Sequence, residues 1–230
     1  MCTYTVKQLN ALTTNENIFD FDWSIAEEGK INQHLWPEND YEPETRFYLM
    51  YGKNNLFGLI LTRGDEEFEP RAEVTEFQGP VANDSCLEFF MAYEPENLNY
   101  INLETNYNAT VHLGLGKDRH NRLKLPKEDL EGLELYSFKP EEAKLKGIDF
   151  AYEWGIAFKL PAKMLYHIWS KYANASEALD ERFFSGQEVR ANLFKCGDKT
   201  NYPHYFAWNE IPTKEVNFHQ PEYFGKLIFE

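Results

Sequence analysis

The passage that decides the fold is Val189-Arg190-Ala191-Asn192-Leu193-Phe194-Lys195-Cys196, followed by Tyr205-Phe206-Ala207-Trp208 and by Phe218-His219-Gln220-Pro221-Glu222-Tyr223-Phe224-Gly225-Lys226-Leu227-Ile228-Phe229-Glu230. Strand-like runs alternate here with short loops that hold Trp, His, Asn and Pro. The last run, Leu227-Ile228-Phe229, is apolar. Chain ends fray unless they are tied into a sheet or against a core. The spacing therefore predicts a buried closing strand over 225–230.

The same reading extends towards the N-terminus. Thr45–Tyr51 and Leu56–Thr62 are apolar runs joined by Gly52-Lys53-Asn54-Asn55, residues that accept positive φ, and they predict a hairpin. Cys86–Tyr93 puts Leu87, Phe89 and Met91 on one face and Cys86, Glu88, Phe90 and Ala92 on the other. Glu88 is thus a lone carboxylate on a largely apolar face. In 100–107 the alternation is sharper: Ile101, Leu103, Thr105 and Tyr107 oppose Tyr100, Asn102, Glu104 and Asn106. With Ala109–Leu115 these runs predict a meander with one polar face. Gly155–Leu160 is a further strand, ended by Pro161, and 162–169 has helical spacing at Leu165, Ile168 and Trp169. Residues 1–44 read as a wrapping segment with one early strand. Residues 64–83 read as a long loop, 117–149 as an excursion of weak local order, and 176–184 as loop or helical turn. Nine to eleven strands against one or two short helices predict an all-β sandwich in a single domain, 1–230.

Composition narrows the function. The chain has 230 residues, 18 Phe, 14 Tyr and 5 Trp, and a formal net charge of −15. A nucleic-acid ligand needs clustered Lys and Arg, and an anionic membrane is equally disfavoured. A neutral ligand is compatible. No basic start followed by an apolar block marks a signal peptide, and no apolar run reaches membrane-spanning length. The default location is cytoplasmic. Three cysteines, at 2, 86 and 196, form no disulfide framework.

Taken in order, several segments resemble carbohydrate-binding module family 9 in its stand-alone form. They are Thr45–Tyr51 with Asn55-Leu56-Phe57, Asp84-Ser85-Cys86-Leu87-Glu88, Trp154–Pro161, Asn192-Leu193-Phe194, Trp208-Asn209 and Phe218–Gly225. The resemblance implies a β-sandwich that binds saccharides without catalysis and caps the end of a sugar chain between two rings. It makes Glu88 a hydroxyl-bonding carboxylate and brings structural calcium in some members; no other cofactor is expected. Two positions depart from it. The family's first stacking Trp falls at Val81 and its second at Phe218.

A pyranose shows C–H groups on its faces and hydroxyls at its rim, so its site needs rings beside carboxylates, amides or guanidinium groups in one concavity. The expected binding residues are Glu88, Glu104, Asn106, Arg119 and Asn192 for the hydroxyls, with Phe218 and Trp208 for stacking. Trp36 and Trp154 are alternative rings. The competing expectation for Glu88 is an ion pair with Arg190 or Arg119, and for Trp208 a place in the core. Other functions stay open: an interaction domain that has lost sugar binding, a glycoside hydrolase using Glu88 and Glu104, or a metal site of Cys196, His204 and His219 whose spacing fits no standard zinc pattern. The glycan, any partner enzyme and the oligomeric state are not readable.

Overall fold

The structure, a computed structural model, describes residues 1–9, 17–64, 70–93, 98–173 and 180–230. Its strands are β1 (Thr3–Gln8), β2 (Gly29–Lys30), β3 (Gln33–His34), β4 (Glu44–Tyr51), β5 (Asn55–Arg63), β6 (Cys86–Ala92) and β7 (Tyr100–Asn106). They continue with β8 (Val111–Gly116), β9 (Leu123–Lys124), β10 (Glu134–Phe138), β11 (Trp154–Pro161), β12 (Glu188–Cys196), β13 (Tyr205–Ala207) and β14 (Gly225–Phe229). One α-helix, α1 (Ala162–Tyr172), follows β11.

The strands run in the order β10-β11-β5-β4-β1-β14-β12-β6-β7-β8-β9. The fold turns at β1. Its first residues pair in parallel with β14, and Lys7 and Gln8 pair in parallel with β4. One strand thereby serves two sheets, which face each other. Phe89 from β6 stacks on Phe158 from β11 at 5.2 Å between ring centroids, joining the layers. The shared core also contains Phe47, Leu49, Ile60, Leu103, Leu193 and Leu227. This is the expected β-sandwich, and the closing strand is β14, held between β1 and β12.

Burial explains the strand sequences. β5 is apolar on both faces because both are covered: Leu56 and Ile60 face the central core, while Phe57, Leu59 and Leu61 meet Ile18, Phe21 and Trp23. The hairpin β4–β5 and the antiparallel meander β6–β7–β8 match the sequence reading. α1 buries Leu165, Ile168 and Trp169 in the central core, as its spacing requires.

Two expectations change. The segment 117–149 is not merely an excursion, since β9 extends one edge and β10 pairs antiparallel with β11 at the other. Residues 1–44 carry β2 and β3 besides β1. Two-residue and edge strands give too short a pattern to read. Of the turn expected at 176–184 and the loop expected at 64–83, residues 176–179 and 65–69 lie outside the described residues.

Candidate functional site

Strand register builds the site. On the outer face of the β12–β6–β7–β8 sheet, residues two apart form rows. One row is Cys196, Cys86 and Asn106; the next is Phe194, Glu88, Glu104 and His112; the third is Asn192, Phe90, Asn102 and Gly114. The segment after β13 crosses this face and lays Phe218 flat on Phe194, with ring centroids 4.1 Å apart and planes 13° apart. Beside Phe218 lies a hollow of about 260 Å³. Glu88, Glu104, Asp198 and Arg119 give it polar walls, and Phe218, Tyr205, Cys196 and His219 are among its other lining residues.

Four expected residues therefore meet: Glu88, Glu104, Arg119 and Phe218. Glu88 is 2% exposed, and among the described residues it has no ion-pair partner. Arg190 donates instead to the carbonyl oxygens of Glu222 and Phe224, and Arg119 to that of Val216. The Glu88 Oε1 atom accepts from Cys196 Sγ at 3.0 Å. Burial, then the neighbouring Cys196 and Glu104, hold the Glu88 carboxyl well above the usual carboxylate range. Glu104 is raised by burial too, against His112, Arg122 and the amide of Asn102, which donates to its Oε1 at 2.6 Å. Burial also raises Asp198. Each of these groups is therefore easier to protonate than an exposed carboxylate.

The other three expected residues do not line the hollow. Asn106 holds a turn: its Nδ2 donates to Val74 O and Asp84 Oδ2, both at 2.8 Å, and its Oδ1 accepts from the amides of Asn108 and Thr110. Asn192 is fully buried, with Nδ2 donating to Asn209 O and Oδ1 accepting from Asn209 N, both at 2.9 Å. It pins the chain just after β13. Trp208 lies in the central core, edge-on to Tyr4 and Phe47. A Cβ on Gly225 would stand 2.7 Å from its ring, so only glycine fits there. Trp154 is likewise core. Trp36 supports Phe218 at 5.9 Å and donates from Nε1 to Thr213 O. Val81 is fully buried against Cys86 and Cys196, so no ring projects from that position.

The site also contains residues that the sequence reading did not assign to a sugar. His219 is hydrogen-bonded through Nδ1 to Tyr100 Oη at 2.8 Å. Burial, then Arg122 and Arg119, push its pKa down to about 3, so it is neutral. Asp198 directly follows the strand-ending Cys196-Gly197, and Tyr205 opposes Cys196 in β13. Their signal was adjacency to expected residues.

The metal set Cys196, His204 and His219 does not assemble. His204 turns to Lys195 Nζ at 3.0 Å. Among the described residues, the ligand-bearing side chains that converge are Cys86, Glu88 and Cys196. Two sulfurs and one carboxylate do not suit calcium, which takes six to eight oxygens.

A larger hollow of about 420 Å³ lies between Tyr41, Arg71, Glu73, Lys199, Tyr202 and His204. None of the seven expected residues lines it. The smaller one unites buried acids with shifted pKa values and an aromatic wall, the stronger mark of a binding site.

Residues 18–229 match Carbohydrate-binding family 9. No curated protein sequence matches the chain. A crystal structure of a candidate carbohydrate-binding protein from Bacteroides uniformis is similar, with TM-score 0.74 and 21% identity over 99% of each chain. A family 9 module from Caldicellulosiruptor kristjanssonii in complex with glucose gives TM-score 0.60 at 10% identity, covering 100% of this chain and 96% of that one. The same organism's module with cellotriose gives 0.59 at 10%, covering 100% and 94%. At these identities the likeness is one of fold.

Proposed function

Because this chain belongs to carbohydrate-binding family 9, whose members bind saccharides without catalysis, we propose that it holds the end of a sugar chain in the hollow beside Phe218. The observation that carries this reading is the meeting of an aromatic wall, Phe218 and Tyr205, with Glu88, Glu104, Asp198 and Arg119 around one small space. About 260 Å³ is below the ~300–1,000 Å³ typical of drug-sized ligand sites, so it suits one ring rather than a length of polymer. The C–H face of the terminal ring packs on Phe218 and Tyr205. Its hydroxyls donate to the carboxyl oxygens of Glu88, Glu104 and Asp198 and accept from Arg119.

One face of Phe218 is already used by Phe194, so a clamp of two rings is replaced by a one-sided platform. Modules from Caldicellulosiruptor kristjanssonii bind glucose and cellotriose, and a glucose-type terminal ring is the first ligand to test. Titration calorimetry with glucose, cellobiose and cellotriose is the experiment. End-on binding gives affinities within about tenfold of one another, since sugar units beyond the first stay in solvent and add under ~1.4 kcal/mol. A rise of more than tenfold with each added unit overturns the single-ring reading. No heat with any mono- or oligosaccharide of a broad panel favours an interaction domain in which burial of Val81 has removed the second ring.

A further inference from the structure

The floor of the hollow holds a set of donors that saccharide binding leaves unexplained. Cys86 and Cys196 stand directly opposite each other in the β6–β12 register. Cys196 Sγ lies 3.0 Å from Glu88 Oε1, and one ligand atom from each of the three residues falls within 4.8 Å of the other two. All three are buried, yet Glu88 and Cys196 border the hollow. A tetrahedral ion with metal–sulfur bonds of ~2.3 Å and a metal–oxygen bond of ~2.1 Å separates its ligands by roughly 3.5–3.8 Å. The observed spacing reaches this with small side-chain shifts.

Charge points the same way. Glu88, Glu104 and Asp198 border the hollow, and among its described lining residues Arg119 is the one permanent cation. Without a cation such buried acids hold their protons more tightly than exposed ones, and a bound divalent ion would displace them. We propose that Cys86, Cys196 and Glu88 bind one thiophilic divalent cation, of which zinc is the type, leaving a fourth position open to the hollow. Three protein ligands and one exchangeable site is the arrangement of an open zinc centre. Thiolates select zinc-class metals over calcium or magnesium. A disulfide between the same cysteines would leave Glu88 without the donor it now has. This site goes beyond saccharide binding; it shares Glu88 and the hollow with the sugar reading, but metal uptake is measured without sugar.

The test uses the full chain with Cys2→Ser, because Cys2 is an exposed thiol. The protein is reduced with a phosphine, stripped of metal, and loaded with zinc or cobalt(II). We expect one zinc per chain after gel filtration and a thiolate-to-cobalt charge-transfer band. Cys86→Ser and Cys196→Ser each weaken zinc binding by more than the ~100-fold that loss of an outer partner gives, and Glu88→Gln by at least ~10-fold. Circular dichroism of each metal-free variant checks the fold. If the serine variants fail to fold, the cobalt band of the parent protein decides. No band, or equal zinc in the Cys86→Ala/Cys196→Ala protein, overturns the proposal. So does a reduced protein that takes up no metal. Saccharide titration of chelator-treated protein is scored separately, so either reading can fail alone.

Discussion

Glu88 on β6 and Glu104 on β7 are cross-strand partners, two carboxyl groups directly opposite on a face from which water is nearly excluded. Like charges in that position repel, and burial penalises each ionised form. Both acids accordingly bind protons more tightly in the folded chain than in the unfolded one. Their contribution to stability is complete below the unfolded carboxyl pKa of ~4.3 and is lost as pH rises through the folded values. In metal-free protein, Tm should fall from pH 5 to pH 8. Glu88→Gln should flatten that fall and raise Tm at pH 8. A thermal scan series that leaves the slope unchanged contradicts the assignment.

Phe218 and Trp208 should separate binding from folding. Phe218→Ala removes the wall of the hollow and the stack on Phe194. It should weaken saccharide binding more than tenfold and destabilise by about 1–2 kcal/mol, the scale of an aromatic pair plus part of a ring's burial. Trp208→Ala opens the central core at a residue 7% exposed and should cost about 3–5 kcal/mol. Denaturant melts with calorimetry on both variants check the contrast.

Asn192 is a structural pin. Replacing it by Ala strands the amide and carbonyl of Asn209, each a buried backbone group with a partner in the native chain. The expected loss is about 2–4 kcal/mol from two unsatisfied groups. Hydrogen exchange should show new opening at 207–211. Full protection there would contradict this role.

Asp129 ties α1 to the turn Lys127–Asp129, which lies ahead of β10. Its Oδ1 accepts from His167 and Lys171, and its Oδ2 accepts from Tyr172 at 2.5 Å. Burial raises its pKa, but these bonds outweigh burial and hold it at about 2. A lowered pKa means stability that is present above the unfolded value of ~3.9 and lost as pH falls towards 2. Asp129→Asn should cost about 1–3 kcal/mol at pH 7 and little at pH 2. Urea melts at the two values test the difference.

How much was legible depended on pattern length. The alternation of Tyr100–Asn106 and the double-sided apolar run of Leu56–Thr62 declared long strands and their buried faces. Glu88 was conspicuous as one acid among Cys86, Phe90 and Ala92. Strands such as Leu123–Lys124 are too short to carry a period, and Glu134–Phe138 sits at an edge with an unfinished one. Site membership was harder. Asn106, Asn192 and Glu104 share the polar side of neighbouring strands, but only register and the path of 208–219 decide which ends in the hollow. Trp208 looked available for stacking because nothing local reveals that Gly225 makes room for it in the core. Asp198 and His219 owe their roles to loops that fold back, and loop paths leave no periodicity.

The most direct test of sugar-end binding is a crystal structure of the protein grown with glucose. The account predicts one pyranose beside Phe218, its hydroxyls within hydrogen-bond distance of Glu104 and Arg119. A ring seated instead between Tyr41, Arg71 and Tyr202, or a hollow filled only by water at saturating sugar, would contradict it.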